Sequence, residues 1–489
     1  MSVPRMPQTA IPPGEGSQLD ELIAGPEAAH PGESGLRLIK QGPEAFAVRA
    51  RSALLAARSL DVQTYIWHAD LTGMYLAHRL LEAADRGVRV RMLVDDMDAR
   101  AKNAGFAGLD AHPNIQVQMF NPFSTRKGLL RQFAEMAVNF DRLNHRMHNK
   151  TWIADNRIAV VGGRNLGDEY FGASEEVNFV DLDFAMVGPI VRDASASFDT
   201  YWNAETTRTM RELDPERVNK QELERVRGLL GAKAAEGENS RYAEEHRRDN
   251  AVQRLIAGDW PMEWTDVSRF VVDDPGKVTM NKDALERSHV RTLLVPAVQS
   301  ARKTVTLISP YFVPNEMGTR LLVDAARAGK RVRVLTNSLV ANDVAAVHGG
   351  YSKWRRELLA GGVELWELKP LLGSEVQSSL LGSRGASLHT KALAVDGDSL
   401  FVGSFNIDPR STWLNCEQGI LAQSIELARQ LEDIFDSQSS GVRAWKVTLA
   451  DGNLHWSDGR EGFDREPNAD AWRRFQAWIT QVLGLDAQL

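Results

Sequence analysis

One eight-residue pattern occurs twice in this chain of 489 residues, first as His148-Asn149-Lys150-Thr151-Trp152-Ile153-Ala154-Asp155 and again as His389-Thr390-Lys391-Ala392-Leu393-Ala394-Val395-Asp396. Both copies have His, one residue, Lys, four residues and Asp, and the histidines are 389 − 148 = 241 residues apart. The same offset links Gly162 to Gly403 and Asn165 to Asn406. From ordinary residue usage, one such match has a chance probability of roughly a few per cent, so two copies in register indicate a duplicated site.

The elements around each copy repeat as well. Residues 60–67 and 88–94 alternate as strands do, and residues 73–86 between them have helical periodicity. A strand, a helix and a strand in succession favour a parallel pair of strands. The second half repeats this unit with strands at 305–308 and 331–335 around a helix at 316–328. We therefore predict an α/β fold of two similar lobes, each a mixed sheet flanked by helices.

The length of the chain predicts two or more domains. Residues 205–255 are dense in Glu, Arg and Lys, which is typical of a solvent-exposed helical connector. We expect five segments in all: a leader at 1–35, the first lobe at 36–204, the connector at 205–280, the second lobe at 281–440, and a C-terminal extension with an amphipathic helix at 441–489.

Composition excludes several classes of function. The formal net charge is −7, so any contact with nucleic acid or anionic lipid must come from local patches. Cys416 is the single cysteine, which excludes a disulfide framework and a cysteine metal cluster. No apolar run of about 18 residues occurs, and residues 1–35 lack the apolar core of a signal peptide. We therefore expect any membrane attachment to be peripheral.

Two amphipathic stretches are candidates for such an attachment. Residues 470–483 place aromatic and aliphatic side chains on one helical stripe, and residues 119–140 interleave apolar and basic residues just before the first motif. Each stretch has two interpretations at this stage. It is either a helix packed on its own lobe or a surface that meets an anionic bilayer.

Each motif predicts a β-hairpin with its polar residues at one end. Residues two apart in a strand face the same side, so His148 and Lys150 project together, as do His389 and Lys391. Lysine supplies positive charge to phosphoryl oxygens, and the amides of Asn165 and Asn406 can add neutral donors. Two histidines allow one to attack phosphorus and the other to move protons. The pattern therefore predicts phosphoryl-transfer chemistry.

The acidic residues of the pattern have two expected roles. Asp155 and Asp396 complete the motifs and are grouped with the catalytic residues, although their position at a turn favours a local structural role. Each histidine also needs an acid that fixes its tautomer. Glu417 follows His389 by 417 − 389 = 28 residues, and Asp181 or Asp183 stands at the matching place in the first lobe. We prefer Asp181.

We expect neither a metal nor another cofactor. Lysine is a poor metal ligand, and no third His or Cys has the spacing of a zinc site.

The motifs resemble those of the phospholipase D superfamily, whose tandem members carry His-x-Lys-x4-Asp twice. Residues 144–150, 161–172 and 403–411 are similar to bacterial cardiolipin synthases. Residues 335–344 and the tryptophan-rich end resemble the C-type branch of those enzymes. The superfamily often has Ser before the Asn, and this chain has Ser404 in the second lobe but Gly163 in the first.

The resemblance implies two lobes related by a pseudo-twofold axis with one active site between them. It implies metal-independent transfer of a phosphatidyl group to phosphatidylglycerol through a phosphohistidine, with phosphatidylglycerol or phosphatidylethanolamine as donor. The site would lie at the bacterial inner membrane. By analogy with tandem members, His148 is the nucleophile and His389 the acid and base. The expected phosphate-binding residues are Lys150, Lys391, Asn165 and Asn406, with Ser404 beside them.

Three other functions remain open. A phospholipase D that uses water to release phosphatidic acid needs the same residues. A phosphodiesterase acting on DNA or RNA needs a basic cleft with stacking aromatics, and the net acidic chain disfavours a nucleic-acid partner. A binding scaffold without activity is disfavoured by the intact His and Lys of both motifs. The expected partners are phospholipid substrates and a membrane surface.

Overall fold

The structure, a computed structural model, describes residues 6–99, 102–123, 140–256, 259–278, 288–342, 345–370 and 385–483. These residues form two large mixed sheets and one two-stranded sheet. The strands of the first half, with the two that follow it, are β1 Ser34–Ile39, β2 Ser59–Thr64, β3 Arg89–Asp95, β4 Ile115–Phe120, β5 Thr151–Ala154, β6 Ile158–Gly162, β7 Val177–Val180, β8 Asp183–Val187, β9 Thr207–Thr209 and β10 Glu263–Thr265.

The second half supplies the remaining described strands. They are β11 Ser268–Val272, β12 Thr304–Ile308, β13 Arg331–Asn337, β14 Glu364–Leu368, β15 Gly385–Leu388, β16 Ala392–Val395, β17 Ser399–Gly403, β18 Gln418–Gln423, β19 Ala444–Ala450, β20 Asn453–Ser457 and β21 Gly462–Phe463. The order β1-β8-β6-β5-β2-β3-β4 in the first sheet matches β11-β18-β17-β16-β12-β13-β14 in the second. In both sheets the strand-helix-strand unit is parallel and the motif hairpin is antiparallel. The predicted two-lobed α/β fold is confirmed.

Helices cover the outer faces of both sheets. The α-helices are Gln18–Ala29, Gly42–Leu55, Leu71–Asp85, Asp96–Ala99, Asn103–Asp110, Phe140–Asn144, Asp168–Phe171, Pro189–Trp202, Met210–Leu213, Lys220–Glu238, Arg241–Arg248, Asn250–Ile256, His289–Ser300, Asn315–Arg327, Ala345–Ser352, Arg355–Ala360, Ile425–Gln438 and Ala471–Leu483. A 3-10 turn covers Pro275–Val278 and a π-turn Arg410–Leu414. The two predicted helices after β2 and β12 are among them.

One apolar core joins the two lobes. Ile153 and Val161 of the first motif hairpin belong to the same buried cluster as Ala394 and Val402 of the second. Separate clusters lie between each sheet and its outer helices. Because the two motif hairpins share a buried core, the lobes hold their polar ends in a fixed relation to each other.

The structure divides the chain differently from the sequence-based segments. The expected connector at 205–280 is not a separate unit, because it contains β9 and β10 of the first sheet and β11 of the second. These strands are three to five residues long, too short for their periodicity to be recognised. Strands β19 to β21 of the expected extension continue the second sheet. The expected leader contains a helix capped by Ser17, with Leu19 and Ile23 buried.

Candidate active site

Both motif histidines lie where the two lobes exchange backbone hydrogen bonds. Strand β15, which leads into His389, pairs in parallel with β7 of the first lobe. The His389 N–H donates to the Val180 carbonyl over 2.9 Å. The other half mirrors this contact: Met147 bridges to Cys416, whose carbonyl accepts from the His148 N–H over 2.9 Å. The pseudo-twofold arrangement therefore brings the ends of the two motif hairpins together.

Each histidine pairs with an acid from the opposite lobe. The Nδ1 of His148 lies 2.9 Å from Glu417 Oε2, and the Nδ1 of His389 lies 2.5 Å from Asp181 Oδ2. The sequence placed each acid with the histidine of its own lobe, and that pairing is wrong. Asp181 directly follows β7, and Glu417 directly precedes β18. Each acid lies next to the histidine of the other lobe, because the lobes pair at β7 with β15 and at Met147 with Cys416. Asp183 lies elsewhere and pairs with buried arginines.

Burial favours the neutral form of both imidazoles. Burial lowers the pKa of His148 to about 4, although Glu417 opposes the shift. Burial and the charge of Lys391 lower the pKa of His389, against the effect of Asp181. Burial favours protonated acids, but the facing rings hold the pKa of Asp181 and Glu417 below their usual values. Because an ionised carboxylate only accepts, each Nδ1 carries the hydrogen and the lone pair is on Nε2.

The motif lysines lie beside both histidines. Lys150 Nζ donates to the His148 carbonyl over 2.6 Å, and Lys391 Nζ donates to the His389 carbonyl over 2.5 Å. Each histidine is within electrostatic range of both lysines. Burial lowers the pKa of Lys150 well below its ordinary value, so an anion bound beside Lys150 would favour its charged form. The four side chains therefore form one largely buried site suited to an anion, here called the two-histidine cleft.

The two asparagines are buried at the start of the turn after each hairpin. Asn165 Nδ2 donates to the Tyr170 hydroxyl over 2.8 Å, and its Oδ1 accepts from the Ile66 N–H. Asn406 is 4% exposed, and its Oδ1 has no hydrogen-bond partner among the described residues. The second asparagine thus keeps a polar atom available for a ligand.

Ser404 and Gly163 support the two acids in different ways. The Ser404 hydroxyl donates to Glu417 Oε2 over 2.5 Å. A Cβ at Gly163 would lie 2.2 Å from Asp181 Oδ1, closer than any real contact. The shorter acid therefore occupies the space that a serine side chain would take in the first lobe. This explains why one half-site has a serine before its asparagine and the other has a glycine.

Asp155 and Asp396 lie away from the histidines, and grouping them with the catalytic residues was wrong. Each sits at the far end of its four-residue strand, roughly 16 Å from the motif lysine by the rise of a strand. The Asp155 carboxylate accepts from the N–H groups of Ala57, Arg58 and Ser59. Asp396 accepts in the same way from residues 302–304. These carboxylates fasten the hairpin turn to the start of the neighbouring strand.

We expect Asp155→Asn to lower stability without slowing the chemistry. The amide cannot accept as strongly from three backbone N–H groups, so the free energy of unfolding should fall by about 2 kcal/mol. Asp396→Asn is the matched variant in the other lobe. The measurements are urea denaturation and kcat per folded molecule. A kcat reduced more than about tenfold in a folded variant would contradict the structural role.

Several residues of the site carried no pattern that the sequence could reveal. The Tyr65 ring lies 5.2 Å from the His148 ring and 5.3 Å from Lys150 Nζ. Tyr170 and Phe179 lie 5.3 and 5.2 Å from the His389 ring. All three aromatic residues come from the first lobe, so the two histidines have different surroundings. The periodicity of isolated aromatic residues does not distinguish such contacts from ordinary core packing.

Two clusters outside the cleft have the composition of cation sites. His68, Asp70 and Glu169 have ligand atoms within 4.8 Å of one another, as do His348, Glu367 and Glu466. Asp70 caps a helix by accepting from the Gly73 N–H. In the second cluster, the guanidinium of Arg355 contacts all three side chains and supplies the positive charge. Neither cluster includes a motif histidine.

Acid should destabilise the protein through His148. Its pKa is about 4 in the folded state against 6.5 for the ordinary side chain, so below about pH 6.5 the unfolded chain binds a proton that the folded chain does not. Stability is therefore lost as the pH falls, by about 2 kcal/mol at pH 5. Urea denaturation at pH 7.5 and pH 5 should show that His148→Gln loses about 2 kcal/mol less than wild type. Equal losses would contradict a buried neutral ring.

A family model described as "Cardiolipin synthase, PLD-like domain" matches residues 52–202 and 294–438. The chain belongs to this phospholipase D-like family. Each matched segment contains one motif hairpin and six of the seven strands that the two lobes have in the same order, with β1 and β11 lying outside the matched residues. The family assignment thus agrees with the duplication deduced from the 241-residue offset.

The chain is similar over most of its length to two cardiolipin synthases and to one crystal structure. Cardiolipin synthase C of Escherichia coli (strain K12) is 39% identical over 470 residues, which cover 94% of this chain and 96% of the relative. Cardiolipin synthase A of Pseudomonas syringae is 25% identical over 413 residues, which cover 84% of this chain and 70% of the relative. The crystal structure of phosphatidylserine synthase from Haemophilus influenzae aligns with a TM-score of 0.60 at 12% identity. The alignment covers 93% of this chain and 95% of that structure. This structural likeness concerns the fold.

Proposed function

We propose that the protein is a cardiolipin synthase that transfers a phosphatidyl group to phosphatidylglycerol through a phosphohistidine. The donor is phosphatidylglycerol or phosphatidylethanolamine. One observation carries the proposal: two histidines, each hydrogen-bonded to a carboxylate of the opposite lobe, lie beside two lysines in one site. The likeness to cardiolipin synthase C over 94% of this chain supports the choice of substrates.

In the first step, His148 is the nucleophile. Glu417 holds the Nδ1 hydrogen of His148, so the Nε2 lone pair attacks phosphorus while the bond from phosphorus to the headgroup oxygen breaks. His389, protonated on Nε2, gives that proton to the departing oxygen, and glycerol or ethanolamine leaves. The negative phosphodiester favours protonated His389, against the effect of burial on its pKa. Lys150 and Lys391 stabilise the charge on the non-bridging oxygens.

In the second step the roles reverse. Neutral His389 removes the proton from a glycerol hydroxyl of phosphatidylglycerol, and that oxygen attacks phosphorus. The bond from phosphorus to His148 breaks, which returns the neutral imidazole and releases cardiolipin. Because both steps pass through the same pair of rings, no external acid or base is required.

We further propose that the protein acts peripherally on the bacterial inner membrane. Within the described ranges, no helix is long and apolar enough to cross a bilayer. Of the two amphipathic stretches, residues 124–139 of the first lie outside the described residues. The second forms the helix Ala471–Leu483.

Product analysis tests the proposal directly. Purified protein is incubated with vesicles of phosphatidylglycerol, with and without phosphatidylethanolamine, and the products are identified by mass. We expect cardiolipin together with glycerol or ethanolamine. Phosphatidic acid without cardiolipin would identify a phospholipase D and overturn the proposal. Isotopically labelled ethanolamine headgroup shows which phospholipid is the donor.

A further inference from the structure

The C-terminal helix Ala471–Leu483 presents a row of exposed aromatic side chains, here called the aromatic ridge. It consists of Trp472, Phe475, Trp478 and Ile479, which are 63%, 44%, 55% and 36% exposed. The Trp472 and Phe475 rings stack with centroids 5.7 Å apart, and the Phe475 and Trp478 centroids are 6.0 Å apart. In the described part of the chain, these three are the only Trp or Phe among the exposed large hydrophobic residues.

The opposite face of this helix is already packed against the second lobe. Ala477 is buried in a cluster with Leu339 and Ala469. Arg473 donates to the Val340 carbonyl over 2.8 Å. At 100° per residue, the ridge spans roughly 120° on the side away from Ala477. The ridge is therefore a second apolar face, because the face that anchors the helix to the lobe is occupied.

The composition of the helix matches the interfacial layer of a bilayer. Between residues 471 and 483 it has no Asp or Glu, so Arg473 and Arg474 give this segment a positive charge while their guanidinium groups also donate to backbone carbonyls. Tryptophan is favoured at the level of lipid headgroups, and cationic residues beside an apolar face are attracted to anionic lipid. A bilayer rich in phosphatidylglycerol supplies both an apolar layer and negative charge.

The ridge is mechanically connected to the second histidine. The loop beneath the helix accepts a hydrogen bond at the Ala341 carbonyl from the Ser387 hydroxyl over 3.0 Å. Asn337 exchanges two hydrogen bonds with the backbone of Leu388, at 3.0 and 3.1 Å. Leu388 ends β15 and directly precedes His389. The loop on which the helix packs is therefore hydrogen-bonded to the strand that positions His389.

We propose that the aromatic ridge inserts into the interfacial layer of an anionic phospholipid bilayer. This insertion holds the two-histidine cleft at the surface of the bilayer. This inference rests on the proposed function, since a lipid substrate has to reach the cleft from a membrane. The new element is the surface of the protein that binds the membrane, namely the aromatic ridge. A second copy of the chain or a protein partner on the ridge is the alternative that the experiment distinguishes.

The test compares the full-length protein with Trp472→Ser/Phe475→Ser/Trp478→Ser. Ile425→Ser, which removes a side chain 73% exposed on another helix, is the matched control. In flotation with vesicles of phosphatidylglycerol and phosphatidylethanolamine, the ridge variant should partition at least tenfold more weakly, and the control should bind like wild type. Turnover of vesicle substrate should fall by the same factor. Binding and turnover equal to wild type would overturn the inference.

A soluble short-chain phosphatidylglycerol separates this inference from the proposed function. Wild type and the ridge variant should turn it over at rates within threefold of each other, because the cleft is unchanged. If wild type forms no cardiolipin from either substrate, the proposed function fails. If the ridge variant instead loses a dimer in lipid-free light scattering and keeps vesicle binding, the ridge is a self-association surface and the inference is overturned.

A conservative variant keeps the test decisive if the triple variant does not fold. Trp472→Phe/Trp478→Phe retains the apolar face, so vesicle binding should persist. Brominated lipids quench tryptophan emission only near the acyl chains. Quenching should therefore be at least halved in this variant relative to wild type. Undiminished quenching would show that the ridge does not enter the bilayer.

Discussion

Replacing either motif histidine by alanine is expected to abolish turnover. The kcat of His148→Ala and of His389→Ala should each fall at least about 10⁴-fold, because each ring takes part in both chemical steps. His455→Ala is the matched control, since this histidine lies on β20 and pairs with exposed Asp464. Cardiolipin formation is measured by mass, with circular dichroism as a test of folding. A variant that keeps more than a tenth of the activity would contradict the shared site.

An activated substrate distinguishes the roles of the two rings. When 4-nitrophenol replaces the headgroup, its departure needs no proton from an acid. His389→Ala should therefore still release about one equivalent of 4-nitrophenolate per enzyme and retain the phosphatidyl group on His148, visible as a mass increase. His148→Ala should release none beyond the rate without enzyme. The reverse pattern would make His389 the nucleophile.

The sequence predicted the parts of this site that are encoded locally. A histidine and a lysine two residues apart on one strand must face the same side, and the constant offset carried that geometry to the second lobe. The identities of Asp181 and Glu417 also followed from local position. The motif alone does not distinguish catalytic residues from structural ones. Asp155 and Asp396 recur in both motifs because their carboxylates stabilise the hairpin turn.

The exchange of acids between lobes was beyond a sequence-based prediction. It depends on how β7 pairs with β15, which lie 385 − 177 = 208 residues apart in the chain. The repeat also changes length near this point, since 417 − 181 = 236 while the histidines are 241 apart. The short strands β9 to β11 were missed for a related reason. Their conformation is determined by a sheet edge that other segments build, whatever their own propensity.

The exchanged acids lead to the second large expected effect. Glu417→Gln and Asp181→Asn should each lower kcat roughly 10²- to 10⁴-fold while the fold persists. A carboxylate only accepts and so fixes the hydrogen on Nδ1, whereas an amide can also donate and stabilise the tautomer with its lone pair on Nδ1. In that tautomer Nε2 carries a hydrogen and cannot attack phosphorus. Glu426→Gln is the matched control, because the Glu426 side chain is 40% exposed and pairs with Arg429 on its own helix.

The activated substrate then tests the crossing itself. Because Glu417 orients His148, Glu417→Gln should slow the release of 4-nitrophenolate as strongly as it slows overall turnover. Asp181 orients His389, so Asp181→Asn should keep a rapid burst of 4-nitrophenolate and lose mainly the second step, in which His389 activates the acceptor alcohol. If each acid served the histidine of its own lobe, these two behaviours would be interchanged. The burst therefore reports which lobe supplies the acid for the nucleophile, independently of how much total activity either variant loses.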